Sequence, residues 1–125
     1  MNENELSKII VNTAYQIHTE LGPGLLESVC EEIMDYELKK QNLNVERQKP
    51  IPVVWNDLKM QLGFRADLIV NNKVIIELKS VESLAKVHPK QLLTYLKLTD
   101  LKLGLLINFN ESLIKNGITR IVNNL

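Results

Sequence analysis

Two carboxylates and a lysine occur where the sequence predicts neighbouring strands of a sheet. Glu77 and Lys79 lie two residues apart within the apolar run 74–79, and Asp67 lies in the preceding run, 64–70. Because side chains alternate across a strand, Glu77 and Lys79 share one face. Two acids and a lysine that converge from adjacent strands form a site for a hard cation and an activated water.

The length of the loop between these strands decides whether the two acids meet. A two-residue turn at 71–72 would put Asp67 and Glu77 on opposite faces, whereas a three-residue loop over 71–73 pairs them directly. We expect the longer loop or an equivalent bulge. Two facing acids repel unless a cation lies between them, and Mg²⁺ suits such a pair. A strand whose solvated face carries Glu77 and Lys79 would explain the same pattern.

A polar stripe on the next predicted helix, residues 88–98, supports the idea of a site. His88, Gln91 and Tyr95 stand at i, i+3 and i+7 and therefore share one narrow stripe beside a leucine-rich face. Gln91 and Tyr95 can hydrogen-bond phosphate oxygens or a ligating carboxylate. The alternative is a solvated border with His88 as the N-cap before a proline.

A second acid-bearing helix is predicted over residues 25–40. Glu27 lies at the margin of its apolar arc, where a glutamate either faces a polar cleft or reaches solvent. A carboxylate near a helix start is also favoured by the helix dipole, so Glu27 alone is ambiguous. The residues assigned to the apolar side of this helix are Leu26, Val29, Cys30, Ile33 and Tyr36.

The order of elements predicts one domain over residues 1–125. The predicted elements are helices at 4–20 and 25–40, an edge or irregular strand at 43–55, strands at 59–70 and 73–79, a helix at 88–98, and a strand at 102–109, with a final strand possible within 117–122. This α-α-β-β-β-α-β order indicates an α/β (α+β) fold with a mixed central sheet flanked by helices. The strand that follows the last helix can join the sheet in parallel.

Composition narrows the class of protein. Fifteen basic and fifteen acidic residues cancel, so the chain lacks the overall positive charge of many nucleic-acid binders, although a local patch would suffice for binding. A single cysteine, Cys30, excludes an internal disulfide. The acidic start does not resemble a signal peptide, and no apolar run is long enough to span a membrane. We therefore expect a cytoplasmic location.

The ordered set of motifs resembles a known family. Asp67, Glu77-Leu78-Lys79 and Gln91-xxx-Tyr95 are similar to the PD-(D/E)XK nuclease superfamily, with the glutamine–tyrosine motif of its RecB-like branch. Gly24-Leu25-Leu26-Glu27 resembles more narrowly the small GxxExxY proteins of bacteria and archaea, and the likeness covers nearly the whole chain. Cys30 replaces the tyrosine that names this narrower family, which removes a hydroxyl and much of the side-chain volume.

The resemblance implies a restriction-endonuclease-like core and a Mg²⁺-dependent nuclease that hydrolyses phosphodiester bonds, with Mn²⁺ able to substitute. Its implied partners are nucleic acid, DNA in particular, and a second copy of the chain in a homodimer. The residues it implies are the catalytic set Asp67, Glu77, Lys79, Gln91 and Tyr95, the metal ligands Asp67, Glu77 and Glu27, and the substrate-binding residues His88, Gln91 and Tyr95. The alternatives are an inactive nuclease-fold module that binds nucleic acid or a protein, and a plain scaffold or oligomerisation domain.

Overall fold

The computed structural model describes residues 1–60 and 63–125 throughout, and the backbone at 61 and 62. Its elements are α1 (Glu3–Leu21), α2 (Glu27–Lys40), β1 (Val45–Trp55), β2 (Leu58–Val70), β3 (Val74–Lys79), α3 (Val87–Thr99), β4 (Leu103–Asn108), a 3₁₀ turn (Ile114–Gly117) and β5 (Ile118–Val122). The predicted order is confirmed, and the tail adds a fifth strand.

The five strands form one mixed sheet in the order β1-β2-β3-β4-β5. Neighbouring strands are antiparallel except β3 and β4, which run parallel because α3 connects them. The parallel strand predicted after the last helix is therefore confirmed. The proline-containing β1 lies at the edge of the sheet, also as predicted, since proline has no N–H to donate to a neighbouring strand.

Helices cover both faces of the sheet. One apolar cluster joins α1 and α2 to the sheet and includes Leu6, Met34 and Ile76. A second cluster joins α3 to the opposite face through Leu92, Leu96 and other residues. β4 is buried at every position because it is covered on both sides, and β3 is buried except at its last residue, Lys79. Lys79 thus lies where the strand leaves the core.

Local signals set the ends of α1. Asn2 and Glu5 form a reciprocal capping box at its start, with the Asn2 side chain accepting from the Glu5 N–H at 2.8 Å. Gly22 follows its last turn with φ of 74°, a conformation that favours glycine, and its N–H donates to the His18 carbonyl. The predicted stop at residues 22–24 is confirmed.

The buried face of α2 differs from the predicted one. Cys30 is buried as expected, but Tyr36 is 61% exposed and Leu26 is 70% exposed. The buried face instead carries two acids, Glu31 and Asp35, in addition to apolar residues. A helical wheel that assigns acids to solvent cannot find this face, because the cation that compensates Glu31 lies on β1.

None of the described helices is long and apolar enough to cross a membrane.

Candidate active site

The register of the β2–β3 hairpin brings the two acids together. Val70 pairs with Val74, and the ladder continues to Leu68 opposite Ile76, which leaves residues 71–73 as a three-residue loop. Asn71 and Asn72 both adopt positive φ, which asparagine tolerates better than most residues. The predicted loop length is confirmed, and the same register places Asp67 opposite Glu77.

The carboxylates occupy the point where the two strands cease to pair. The Leu78 N–H donates to Asp67 Oδ2 at 2.8 Å, and the Asp67 N–H donates to Glu77 Oε1 at 3.4 Å. Each acid therefore replaces a backbone carbonyl as acceptor beyond the last ladder pair. These bonds fix one oxygen of each carboxylate, Asp67 Oδ2 and Glu77 Oε1.

Burial and mutual repulsion make the charged state of this acid pair costly. Burial, followed by the negative charge of Asp67, raises the pKa of Glu77 from 4.5 to about 9. Burial also raises the pKa of Asp67, against the lowering effect of the Leu78 N–H. Such a pair stays partly protonated near neutral pH unless positive charge is supplied. A divalent cation with a preference for oxygen ligands meets this need, so the residues present fit one.

Lys79 lies at the edge of the same site. Its positive charge lowers the pKa of both Asp67 and Glu77, although within the described residues it forms no ion pair with either of them. The chain after Lys79 is held by the buried Asn108, which bonds both the N–H and the carbonyl of Val81, and by a bond from the Ser80 hydroxyl to the Leu25 carbonyl. The end of β3 and the start of α2 are thereby joined.

The three predicted site residues of α3 differ in their surroundings. Tyr95 is near the acids, since burial and the charges of Glu77 and Asp67 raise its pKa, and its ring packs on Phe64 at a centroid distance of 4.6 Å. Gln91 is exposed and takes part in none of the side-chain hydrogen bonds found in residues 1–60 and 63–125. His88 is the second residue of the helix rather than its N-cap, and its Nδ1 accepts from the Ala85 N–H at 3.3 Å.

A different acid of α2 approaches the pair more closely than the predicted one. Glu27 is exposed at the first residue of the helix. Glu31, one turn later, is buried, and its charge raises the pKa of Asp67. The Gln48 amide links the two acids, with donor distances of 2.5 Å to Glu31 Oε1 and 3.4 Å to Asp67 Oδ1. Sequence patterns did not single out Glu31; its spacing of four residues from Glu27 was the one available sign.

Gln48 was also missed, and its backbone shows why it is unusual. It adopts φ of 48° within a strand, and the ladder between β1 and β2 omits it, with pairs at Arg47–Leu68 and Lys49–Ala66 on either side. A residue other than glycine in this region is strained, and such strain is often found at functional sites. The irregularity turns the Gln48 side chain toward Glu31 and Asp67. Nothing in the local sequence signals it.

Arg47 compensates the acids on the buried side of α2. Its guanidinium lies 3.1 Å from Glu31 and 3.1 Å from Glu32, and 3.9 Å from Asp35. The hydrogen bond to Glu31 is the main cause of the raised pKa of Arg47. Glu31 is therefore held between Arg47 and Gln48 and oriented toward the site.

Cys30 is fully buried in the cluster between the helices and the sheet. Burial raises the pKa of its thiol to about 11, so the thiol is neutral near pH 7. It acts as a small packing residue.

A comparison with protein families identifies the family of this chain. A model of the PD-(D/E)XK nuclease superfamily matches residues 4–121, which is nearly the full chain. This chain belongs to the PD-(D/E)XK nuclease superfamily. No curated protein and no solved structure matches it significantly. The narrower likeness to the GxxExxY proteins stays a prediction.

Membership explains the restriction-endonuclease-like arrangement of a mixed sheet between helices. PD-(D/E)XK nucleases generally use divalent metal ions and act on nucleic acid. Among residues 1–60 and 63–125, no group of three or more His, Cys, Asp or Glu side chains is close enough to hold a metal by itself. A site built on two acids leaves room for water and substrate oxygens around a cation, as Mg²⁺ sites do.

Proposed function

We propose that this chain hydrolyses phosphodiester bonds in nucleic acid at the Asp67–Glu77 pair, with Mg²⁺ as the natural cofactor and Mn²⁺ as a substitute. The observation that carries the proposal is the convergence of the half-buried Asp67 with the buried Glu77, with Lys79 two residues after Glu77 on β3. The acids would hold the cation. When bound, a divalent cation polarises a phosphodiester and lowers the pKa of a water molecule.

The chain's own groups have separate tasks in this proposal. The Leu78 N–H and the Asp67 N–H hold the acids in place before substrate arrives. The Lys79 ammonium provides positive charge where negative charge develops on the phosphate. Tyr95 lies on the α3 side of the acids and can donate its hydroxyl proton to a phosphate oxygen. Gln91 and His88 stay predicted substrate contacts.

For the acid contributed by α2, the contact through Gln48 favours Glu31 over Glu27 as the group that supports the metal. Glu31 is buried and shares the Gln48 amide with Asp67, whereas Glu27 is exposed. Glu31→Gln should weaken Mn²⁺ binding, and Glu27→Gln serves as the matched variant one turn away. Equal Mn²⁺ affinities for both variants would remove Glu31 from the site.

The test of activity compares supercoiled, linear and single-stranded DNA, and RNA, each with Mg²⁺, Mn²⁺ or EDTA. Asp67→Asn, Glu77→Gln and Lys79→Gln should each reduce cleavage by about 100-fold or more, as is typical for groups that bind the metal or stabilise transition-state charge. Glu82→Gln, an exposed acid on the loop after β3, is the control. Cleavage that survives Asp67→Asn would reject the mechanism. Binding without turnover would assign the chain to the inactive, nucleic-acid-binding alternative.

A further inference from the structure

The β1–β2 hairpin extends well past the acid pair. β1 and β2 have 11 and 13 residues, whereas β3 has six and pairs with β2 over Leu68–Val70. The distal part of the hairpin, residues 51–64, is here called the arm. A change of register between Ile51 and Val53 bends it, and Gly63 permits the bend because a Cβ there would lie 2.0 Å from the Ile51 carbonyl oxygen.

The tip of the arm exposes large apolar side chains. Trp55 is 70% exposed beside the two-residue turn at 56–57, and its cross-strand partner Leu58 is 53% exposed. Met60 adds to the same face of the ribbon at 42%, and Val54, at 52%, is exposed on the opposite face. A ribbon of two strands gains little stability by itself, so these side chains contribute little to the fold where they stand. Their exposure together indicates a contact surface.

A groove along the arm carries two basic residues. Lys59 and Arg65 line a groove of about 380 Å³ whose other walls include Pro50, Pro52 and Phe64. Neither cation forms an ion pair with a described carboxylate, in contrast to Lys49, which pairs with Glu46 at 2.5 Å. An unpaired lysine and arginine can bind the phosphates of a nucleic acid, and the apolar wall beside them can pack against the flat faces of its bases.

The groove runs toward the acid pair. Phe64, one wall of the groove, packs on Tyr95, and the charges of Glu77 and Asp67 contribute to the raised pKa of Tyr95. Arg65 is two residues before Asp67 on the same strand. A strand of nucleic acid held in the groove would therefore lead its backbone to the site of cleavage.

We propose that the arm binds a single-stranded segment of nucleic acid, with Trp55 stacked on an unpaired base and with Lys59 and Arg65 on the phosphates. The inference rests on the proposed function, because it places the substrate path relative to the acid pair. A duplex hides the faces of its bases, so an exposed tryptophan favours a single strand. The unpaired cations of the groove complement phosphates, which favours nucleic acid over a second copy as the occupant.

Trp55 is the only tryptophan of the chain, so its fluorescence reports on the arm alone. Titration of the protein with oligothymidylate or oligouridylate in EDTA measures binding without cleavage and compares the two sugars. We expect quenching of Trp55 on binding. Trp55→Ala should weaken binding by about 10-fold or more, and Trp55→Phe should retain most of it, since base stacking is preserved.

Matched variants separate the arm from the rest of the surface. Tyr36→Ala removes an aromatic side chain on α2 that is 61% exposed, and Lys8→Gln removes an exposed lysine on α1. Both should bind like the parent. Lys59→Gln with Arg65→Gln should weaken binding and reduce the slope of log K against log salt by about one to two units.

Unchanged Trp55 fluorescence, or equal affinity for Trp55→Ala and the parent, would overturn the proposal. Concentration-dependent dimerisation without nucleic acid that Trp55→Ala abolishes would overturn it as well and assign the tip to self-association. If the parent cleaves nucleic acid but Trp55→Ala binds it with unchanged affinity, the role of the arm is refuted and the proposed nuclease function stands. Binding through the arm without cleavage in Mg²⁺ would uphold the arm and refute the proposed hydrolysis.

Discussion

The stability of the metal-free protein should fall as pH rises, because of Glu77. In the folded chain the pKa of Glu77 is raised from 4.5 to about 9 by burial and by Asp67. The folded state therefore binds more protons than the unfolded state between these two values. Linkage requires that stability is fully present below pH 4.5 and is lost as pH rises toward 9. Asp67, whose pKa is also raised, acts in the same direction.

The size of the effect follows from the width of this window. Each pH unit within it costs about 1.4 kcal/mol when a single group differs in protonation between the two states. From about pH 5 to about pH 8 the free energy of unfolding should therefore fall by about 4 kcal/mol. For a domain of this size, such a loss lowers the melting temperature by about 15 °C.

Glu77→Gln tests the assignment. The amide introduced by this substitution can still accept from the Asp67 N–H and can donate to the Asp67 carboxylate, so the contacts of a protonated glutamate are preserved. The free energy of unfolding is measured by urea denaturation in EDTA at about pH 5 and about pH 8. Between these two values it should fall steeply for the parent and only slightly for Glu77→Gln. The control Glu82→Gln should behave like the parent. Parallel profiles for the parent and Glu77→Gln would show that Glu77 does not hold the proton.

Three further outcomes are expected. Mn²⁺ should raise the melting temperature of the parent at about pH 8 but not that of Glu77→Gln. Binding of Mn²⁺ near pH 7 should also release about one proton, which is measured by calorimetry in buffers of different ionisation enthalpy. Arg47→Met should lower the free energy of unfolding by about 3 kcal/mol in urea melts, because the buried Glu31 loses its cation; a loss no larger than that of exposed Lys8→Met would contradict this. Gln48→Gly should be more stable than Gln48→Ala by about 1 kcal/mol, since glycine tolerates φ of 48°, and equal denaturation midpoints would argue against strain there.

The periodicity of the sequence and the length of one turn were enough to predict the order of the elements and the acid pair at the centre of the site. The alternation in β3 and the need for Asp67 to face Glu77 together required a three-residue loop, and the structure has it. The proline-rich β1 at the edge and the parallel β4 after α3 also followed from local rules. These features depend on residues close together in the chain, where hydrogen bonding and side-chain alternation leave few choices.

The parts that could not be predicted depend on distant partners. Glu31 is buried because Arg47 from another element neutralises it, and a helical wheel contains no such information. The positive φ of Gln48 results from an irregular pairing of β1 with β2 and has no signature such as glycine or asparagine. Glu27 and Gln91 were predicted from motifs and His88 from its helical spacing, but their side-chain positions depend on how α2 and α3 pack on the sheet.

The end of the β2–β3 ladder explains why the acids and the arm occur on the same strand. Where pairing stops beyond Leu68 and Ile76, the Leu78 N–H and the Asp67 N–H need new acceptors, and the two carboxylates provide them. β2 is then free to continue into the arm without β3. Asp67→Ala should therefore cost about 1–3 kcal/mol by leaving the Leu78 N–H unsatisfied, whereas Asp67→Asn keeps an acceptor oxygen and should fold like the parent. Loss of cleavage in the asparagine variant, with unchanged stability, separates the chemistry of the acid from its part in the fold.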